Sequence, residues 1–255
     1  MDLPEIKKPE KNDYQDEIIR SEEPVKSKKN TEEHFIPTGN KVLDSLIKGF
    51  EKDIITTIYG PAGSGKTNFC ILSSIDIAKK GKKVIYVDTD GSFSVERLKQ
   101  ITSDYEDVLG NMIFFRPMSF SEQKKTFENI DKIINEKVGI IIVDSIAMLY
   151  RLELGNEKDV YDVNRELGNQ LTILTKIARM KNIPVLITNQ VYSAVDEKDR
   201  LKMVGGNFLK YASKCLIEIR EIKDSKKVIL RKHRSLPKDK ELSFEIIEEG
   251  VKETS

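Results

Sequence analysis

Eight residues, Gly60-Pro-Ala-Gly-Ser-Gly-Lys-Thr67, constrain this chain more than any other stretch, because they match G-x-x-x-x-G-K-[ST]. A β-branched run, Ile54 to Tyr59, precedes them, and a helix-length segment, Asn68 to Lys80, follows. In a strand–loop–helix setting the glycines let backbone N–H groups converge on phosphate oxygens, and the helix N-terminus adds a favourable dipole. Gly60, Pro61, Ala62, Gly63, Ser64, Gly65, Lys66 and Thr67 are therefore candidate nucleotide-binding residues. Lys66 is the group to neutralise β- and γ-phosphates, and the Thr67 hydroxyl is a candidate Mg2+ ligand.

The surrounding pattern agrees with that setting. Lys83 to Asp88, Met112 to Arg116, Gly139 to Asp144 and Pro184 to Asn189 read as further strands. Helix-length segments at Phe120 to Glu136 and Val160 to Met180 lie between them, and this alternation predicts an α/β fold with a parallel sheet. Lys214 to Ile222, Lys226 to His233 and Leu242 to Ile247 are strand-like with no helix between them, which predicts an antiparallel C-terminal extension. The expected organisation is a flexible charged arm, residues 1–34, followed by one ATPase-type domain, residues 35–255.

A chain 38% apolar and 33% charged suits a water-soluble domain, and no apolar stretch is long enough to span a bilayer. The N-terminus has no apolar signal-peptide core. Two cysteines, Cys70 and Cys215, make no disulfide framework, and two histidines without C-x-x-C spacing make no zinc module. A reduced, cytoplasmic setting is the expectation. The net charge of +1 conceals an uneven distribution, since residues 198–234 carry twelve Lys or Arg against four Asp or Glu, a net of +8. Two readings fit that segment, a solvated hairpin face or an anion-binding surface.

Other residues extend the candidate site. Asp144 ends the apolar run IIIVD, where an unpaired carboxylate is costly unless it faces a site, and it is the second candidate Mg2+ ligand. Asp88 and Asp90, in VDTDGSF, are candidates to orient or deprotonate an attacking water. Gln190, after the fifth strand, reads equally as a γ-phosphate sensor or as a strand cap. In the segment after it, Lys198, Arg200 and Lys202 either contact phosphates or belong to a solvated loop. Lys232, His233 and Arg234 form a second cluster, suited to phosphate contacts rather than base readout. Binding through such groups has weak sequence preference and falls steeply with salt.

Taken in order, Phe35-Ile-Pro-Thr-Gly-Asn-Lys-Val-Leu-Asp44, YGPAGSGKTNFC, VIYVDTDGSFSVERL, IIIVDSI, ITNQV and Gly205-Gly206 resemble the core of the RecA/RadA recombinase family. KHRSLP, followed by SFEIIEEGV, is similar to the C-terminal end of an archaeal paralogue branch of that family. The resemblance covers about residues 35–252. It implies a RecA-like P-loop NTPase core with a largely parallel twisted sheet flanked by helices. It also implies ATP and Mg2+ as cofactors, DNA as a partner, and a role in homologous recombination and DNA repair. By position, Lys66 and Thr67 match the P-loop pair, Asp144 the metal-binding aspartate and Gln190 the γ-phosphate sensor. Arg97 matches the arginine that stacks on adenine.

Departures from the family shape the functional expectation. Asp90 stands where such recombinases place a catalytic glutamate, one methylene longer, so slow hydrolysis is predicted. Phe35 is followed by Ile36, Pro37 and Thr38 instead of the family's phenylalanine-x-x-alanine knob, and no helix–hairpin–helix domain precedes the core. Filament formation and strand exchange are therefore not expected. The resemblance implies an ATP- and DNA-binding accessory protein with weak hydrolysis little stimulated by DNA. Partners implied are the recombinase RadA and a Holliday-junction resolvase, with no membrane. The competing readings are a DNA-stimulated strand-exchange recombinase and a KaiC-like signalling ATPase.

Overall fold

Alternation within the apolar strands sends successive side chains to opposite faces of a sheet, so each such strand needs cover on both sides. The structure, a computed structural model, describes residues 34–155, 159–195, 201–222 and 225–254, and the N-terminal arm lies outside them. In chain order the elements are β1 (Phe35–Ile36), α1 (Lys41–Ile47), β2 (Phe50–Glu51), β3 (Ile55–Tyr59), α2 (Lys66–Lys79) and β4 (Lys83–Asp88). Next come α3 (Val95–Ile101), α4 (Tyr105–Gly110), β5 (Met112–Phe115), α5 (Phe120–Ile133), β6 (Val138–Asp144), α6 (Met148–Leu154) and α7 (Val160–Lys181). Then follow β7 (Val185–Asn189), β8 (Val191–Val195), β9 (Leu201–Met203) and α8 (Gly206–Ala212). The chain closes with β10 (Ser213–Ile222), β11 (Ser225–Lys232), β12 (Glu241–Ile247) and β13 (Gly250–Thr254).

Nine strands form the main sheet in the order β13-β12-β11-β10-β3-β7-β6-β4-β5. The six from β10 to β5 run parallel, and β11, β12 and β13 continue as an antiparallel edge. The expected architecture is thus the observed one, with two refinements. Residues 214–222, expected to open the antiparallel extension, lie in β10, which is the seam: parallel to β3 on one side and antiparallel to β11 on the other. The extension also has an additional strand, β13, where GVKET reads weakly as a strand on its own.

Strand alternation builds two cores. Ile58, Val84, Tyr86, Ile140, Ile142 and Leu186 face the layer of α1 to α4. Ile85, Val87, Ile141, Val143, Val185 and Ile187 face α5 to α8. The longest helix, α7, presents Leu167, Leu171, Leu174, Ile177 and Ala178 at helical spacing into that second core. Each such large apolar side chain contributes about 1.5–3 kcal/mol on burial. Capping sets the helix ends: Asn40 accepts from Val42 and Leu43 N–H at the start of α1, and Ser94 accepts from Arg97 N–H at the start of α3.

This order brings the carboxyl ends of β3, β4, β6 and β7 to one edge of the sheet. Tyr59 pairs in register with Asn189, and Asp88 with Asp144. Open α/β sheets bind ligands at such an edge.

Candidate nucleotide-binding site

The loop from Gly60 to Gly65 joins β3 to α2, and its backbone demands glycine at defined points. Gly63 and Gly65 have φ of 75° and 102°, in the left-handed region. A Cβ on Gly60 would come within 2.7 Å of the Ile219 carbonyl oxygen, so the loop lies close against β10. The Lys66 ammonium turns back over this loop and donates to the carbonyls of Gly60 (3.0 Å) and Pro61 (2.6 Å). Burial lowers its pKa, opposed by the charges of Asp144 and Asp90.

Thr67 and Asp144 meet directly, with the Thr67 hydroxyl donating to Asp144 Oδ2 at 2.7 Å. Asp144 is only 2% exposed, and its carboxylate is held from several sides. Tyr86 OH and Ser92 Oγ donate to Oδ2, each at 3.0 Å, and Thr188 Oγ1 donates to Oδ1. The peptide bond that follows it, to Ser145, is cis. A cavity of about 260 Å3 opens here, lined by Gly63, Lys66, Thr67, Asp90, Ser145 and Gln190 among others.

These residues fit Mg2+ with a polyphosphate. Mg2+ keeps several waters and takes one or two protein oxygens plus phosphate oxygens, so one hydroxyl beside one oriented carboxylate suffices. A dedicated all-protein metal cage is absent among the described residues. Ser145 Oγ, buried beside the cavity and without a hydrogen-bond partner, is a further polar atom that a bound group would satisfy.

The remaining candidates take distinct positions. Asp90 lines the cavity and accepts from Ser92 N–H. Asp88 is buried beneath it and accepts from the same N–H at 3.1 Å. Burial raises the pKa of both carboxyls, and the Asp144 charge adds to the effect. Gln190 lines the cavity, and its Oε1 accepts from Arg151 Nη1 at 2.6 Å, which leaves the amide N–H2 to donate elsewhere. Arg97 does not stand free: Nε donates to Asn68, and its other nitrogens donate to the carbonyls of Ile247, Glu248 and Gly250. It ties the β12–β13 turn to the P-loop helix, and only its planar faces remain for stacking.

Of the cationic candidates, Lys198 and Arg200 lie outside the described residues, and Lys202 is exposed on β9. The side chains of Lys232, His233 and Arg234 have partners within the fold. Lys232 Nζ donates to the carbonyls of Lys210 and Ser213, at the end of α8. His233 Nδ1 accepts from the backbone N–H of Ser235 and Leu236, and burial lowers its pKa, so the ring is neutral near pH 7. Arg234 pairs with Glu51 at 2.6 Å and Asp53 at 3.0 Å. A strand-end run of cations is open to this, because each long side chain reaches whichever carbonyl or carboxylate the fold brings near.

Sequence reasoning missed Tyr86, Ser92, Arg151 and Thr188. Tyr86 and Ser92 lie within VIYVDTDGSF and Thr188 within ITNQV, each beside a motif residue. Nothing in the sequence signals Arg151, whose partner Gln190 lies 39 residues away.

A largely parallel sheet with a P-loop after β3, a cavity-lining aspartate at the end of β6 and a glutamine after β7 defines a RecA-like P-loop NTPase domain. The chain belongs to the Rad51 family, whose model matches residues 29–254. Within that family its likeness is to the RadB proteins. It is 39% identical to the DNA repair and recombination protein RadB of Methanobrevibacter smithii, over 86% of this chain and 95% of that one. RadB of Methanocaldococcus jannaschii is 42% identical over 81% of this chain and 96% of its own length. A crystal structure of the RadB recombinase superposes with a TM-score of 0.72 at 33% identity, covering 86% of this chain and 99% of that chain.

Proposed function

We propose that this protein is an ATP- and DNA-binding accessory factor of homologous recombination and DNA repair, with slow ATP hydrolysis little stimulated by DNA and no strand exchange of its own. The observation that carries the ATP reading is the 2.7 Å contact between the Thr67 hydroxyl and Asp144, set in the cavity that Lys66, Asp90 and Gln190 also line. The repair role rests on the names of the RadB relatives. We read residues 1–34 as an arm and residues 35–255 as the ATPase domain.

Bound ATP and Mg2+ supply the scissile phosphoanhydride and its charge neutralisation. Lys66 would exchange the loop carbonyls for phosphate oxygens, and Thr67 and Asp144 would hold the metal. Gln190 would donate its amide to the terminal phosphate, so that nucleotide state would reach Arg151 on α6 through a single hydrogen bond. Asp90 orients the attacking water with a carboxylate one methylene short of the family's glutamate.

The deciding experiment measures ATP turnover across a salt series, with and without single-stranded DNA, alongside DNA binding. Weak turnover that DNA does not raise, with salt-sensitive binding, supports the accessory reading. Strong stimulation by DNA selects a strand-exchange recombinase, and no DNA binding at low salt selects a KaiC-like ATPase. Asp90→Glu is expected to raise turnover about tenfold, part of the roughly 10²- to 10⁴-fold that a well-placed general-base group contributes. Unchanged turnover in single-turnover assays places the bottleneck elsewhere.

A further inference from the structure

Five buried side-chain oxygens among the described residues have no hydrogen-bond partner: Glu51 Oε2, Gln123 Oε1, Ser145 Oγ, Glu166 Oε1 and Asn189 Oδ1. In four of them the same side chain is bonded through its other polar atom, as Glu51 Oε1 is to Arg234 and Asn189 Nδ2 to the Val204 carbonyl. Ser145 differs, because the hydroxyl is its whole polar group and none of it is used. The residue is only 1% exposed, so bulk water does not satisfy the hydroxyl, and a hydrogen bond left unmade there is costly. It lines the cavity that Lys66, Thr67, Asp90 and Gln190 share.

Backbone contacts fix where that hydroxyl stands. Thr89 Oγ1 donates to the Ser145 carbonyl at 2.7 Å and accepts from the Ser145 N–H at 2.9 Å. Thr89 N–H donates to the Asp144 carbonyl, and Ile146 N–H to that of Thr188. Ser145 is thereby tied to the end of β4 on one side and to β7 on the other. The sheet order β7-β6-β4 places the residue after β6 between those that follow its two neighbours. Gln190, Ser145 and Asp90 therefore stand in that order along one edge, and all three line the cavity. A free hydroxyl lies between the amide assigned to the terminal phosphate and the carboxylate assigned to the attacking water.

We propose that Ser145 is a catalytic residue whose hydroxyl holds the attacking water beside the terminal phosphate of ATP. This assignment rests on the ATP-hydrolysis reading above. Of the water's two O–H groups, one donates to the Asp90 carboxylate and the other to Ser145 Oγ, whose own O–H donates to a phosphate oxygen. A lone pair of the water is then free to face phosphorus. As the water oxygen bonds to phosphorus, the bond from phosphorus to the bridging oxygen breaks, and its electron pair leaves on ADP. One water proton passes to Asp90, the other stays on the phosphate product, and Ser145 keeps its own. A water held at two points strays less from the line of attack than one held by a carboxylate alone.

The test compares the full-length parent with Ser145→Ala. Without nucleotide the variant is expected to melt at the parent's temperature or above, since the lost hydroxyl bonds to nothing in the fold. Mant-labelled ADP with Mg2+ should bind both proteins equally. Aluminium fluoride, which takes the place of the transferring phosphoryl group, should tighten that binding about ten- to a hundredfold more in the parent than in the variant, the range for one hydrogen bond to a charged group. Turnover at saturating ATP should fall by a similar factor with KM unchanged. A lower melting temperature for the variant without nucleotide would make the hydroxyl structural and overturn the assignment. Equal losses of labelled ADP with and without aluminium fluoride would also overturn it, since the hydroxyl would then serve ground-state binding. If both proteins respond alike to aluminium fluoride and turn over alike, Ser145 is idle although the nucleotide reading stands. If the parent binds no labelled ADP, that reading falls and this one with it.

Discussion

Asp88 and Asp90 are two residues apart and accept from the same Ser92 N–H, yet only Asp90 reaches the cavity. Burial raises Asp88 above the ordinary 3.8 of its side chain. In the window just above that value the folded chain therefore holds more protons than the unfolded one. Stability falls as pH rises through the raised pKa and stays lower beyond it. Asp88→Asn removes that charge while keeping an acceptor for Ser92, so its melting temperature at pH 7.5 is expected to exceed the parent's. The gain should be about 2–4 °C for each kcal/mol recovered and should shrink as the pH approaches that ordinary value. A lower melting temperature at pH 7.5 would mean that the Asp88–Arg116 pair, 3.9 Å apart, outweighs burial. Single residues were legible in the sequence where a motif fixes their neighbours, as for Lys66, Thr67 and Asp144. Thr188 and Arg151 escaped because their partners are set by strand order, which no local spacing encodes.

Among the elements, the long ones were readable and the short ones were not. Strands β3, β4, β6 and β7 carry unbroken apolar or β-branched runs, and α5 and α7 repeat apolar residues with helical period. By contrast β1 and β2 have two residues each, and α1 and α8 seven, too few for a period to emerge. The β12–β13 hairpin illustrates stabilisation that only packing provides. Its turn carbonyls are gathered by the Arg97 guanidinium, and its Val251 carbonyl accepts from the Asn40 side chain. Arg97→Ala is expected to cost about 2 kcal/mol, in the range for hydrogen bonds to a charged group. Amide exchange should quicken in β13 before it does in β3 or β6. Arg97→Lys should not restore it, because a point ammonium cannot reach three carbonyls in the geometry of a planar fork. Uniform exchange in both variants would show that strand pairing alone holds the hairpin.

For the whole molecule, ligand binding and stability are linked, since a ligand that binds only the folded state raises its free energy of unfolding. ATP with Mg2+ at about a hundred times its dissociation constant should contribute about 2.7 kcal/mol, which for a domain of this size is a rise of about 5–10 °C. Lys66→Ala should abolish that shift while melting close to the parent, as the lysine's own partners are loop carbonyls. A variant that keeps the full shift would remove the phosphate-site assignment. No helix among the described residues is long and apolar enough to cross a membrane.

Local chemistry and fold class are written along the chain. A phosphate loop needs glycines at fixed offsets between a strand and a helix, and a sheet buried on both faces needs continuous apolar runs. Both are patterns over a few adjacent residues, and both survive reading along the chain. Which side chains remain available depends on the folded arrangement. Lys232 and Arg234 look as free as Lys210 in the sequence, but the end of α8 and the acids Glu51 and Asp53 claim them, while Lys210 stays in solvent. Charge is a property of the residue, whereas its availability to a ligand depends on what folding from distant parts of the chain brings within hydrogen-bond reach.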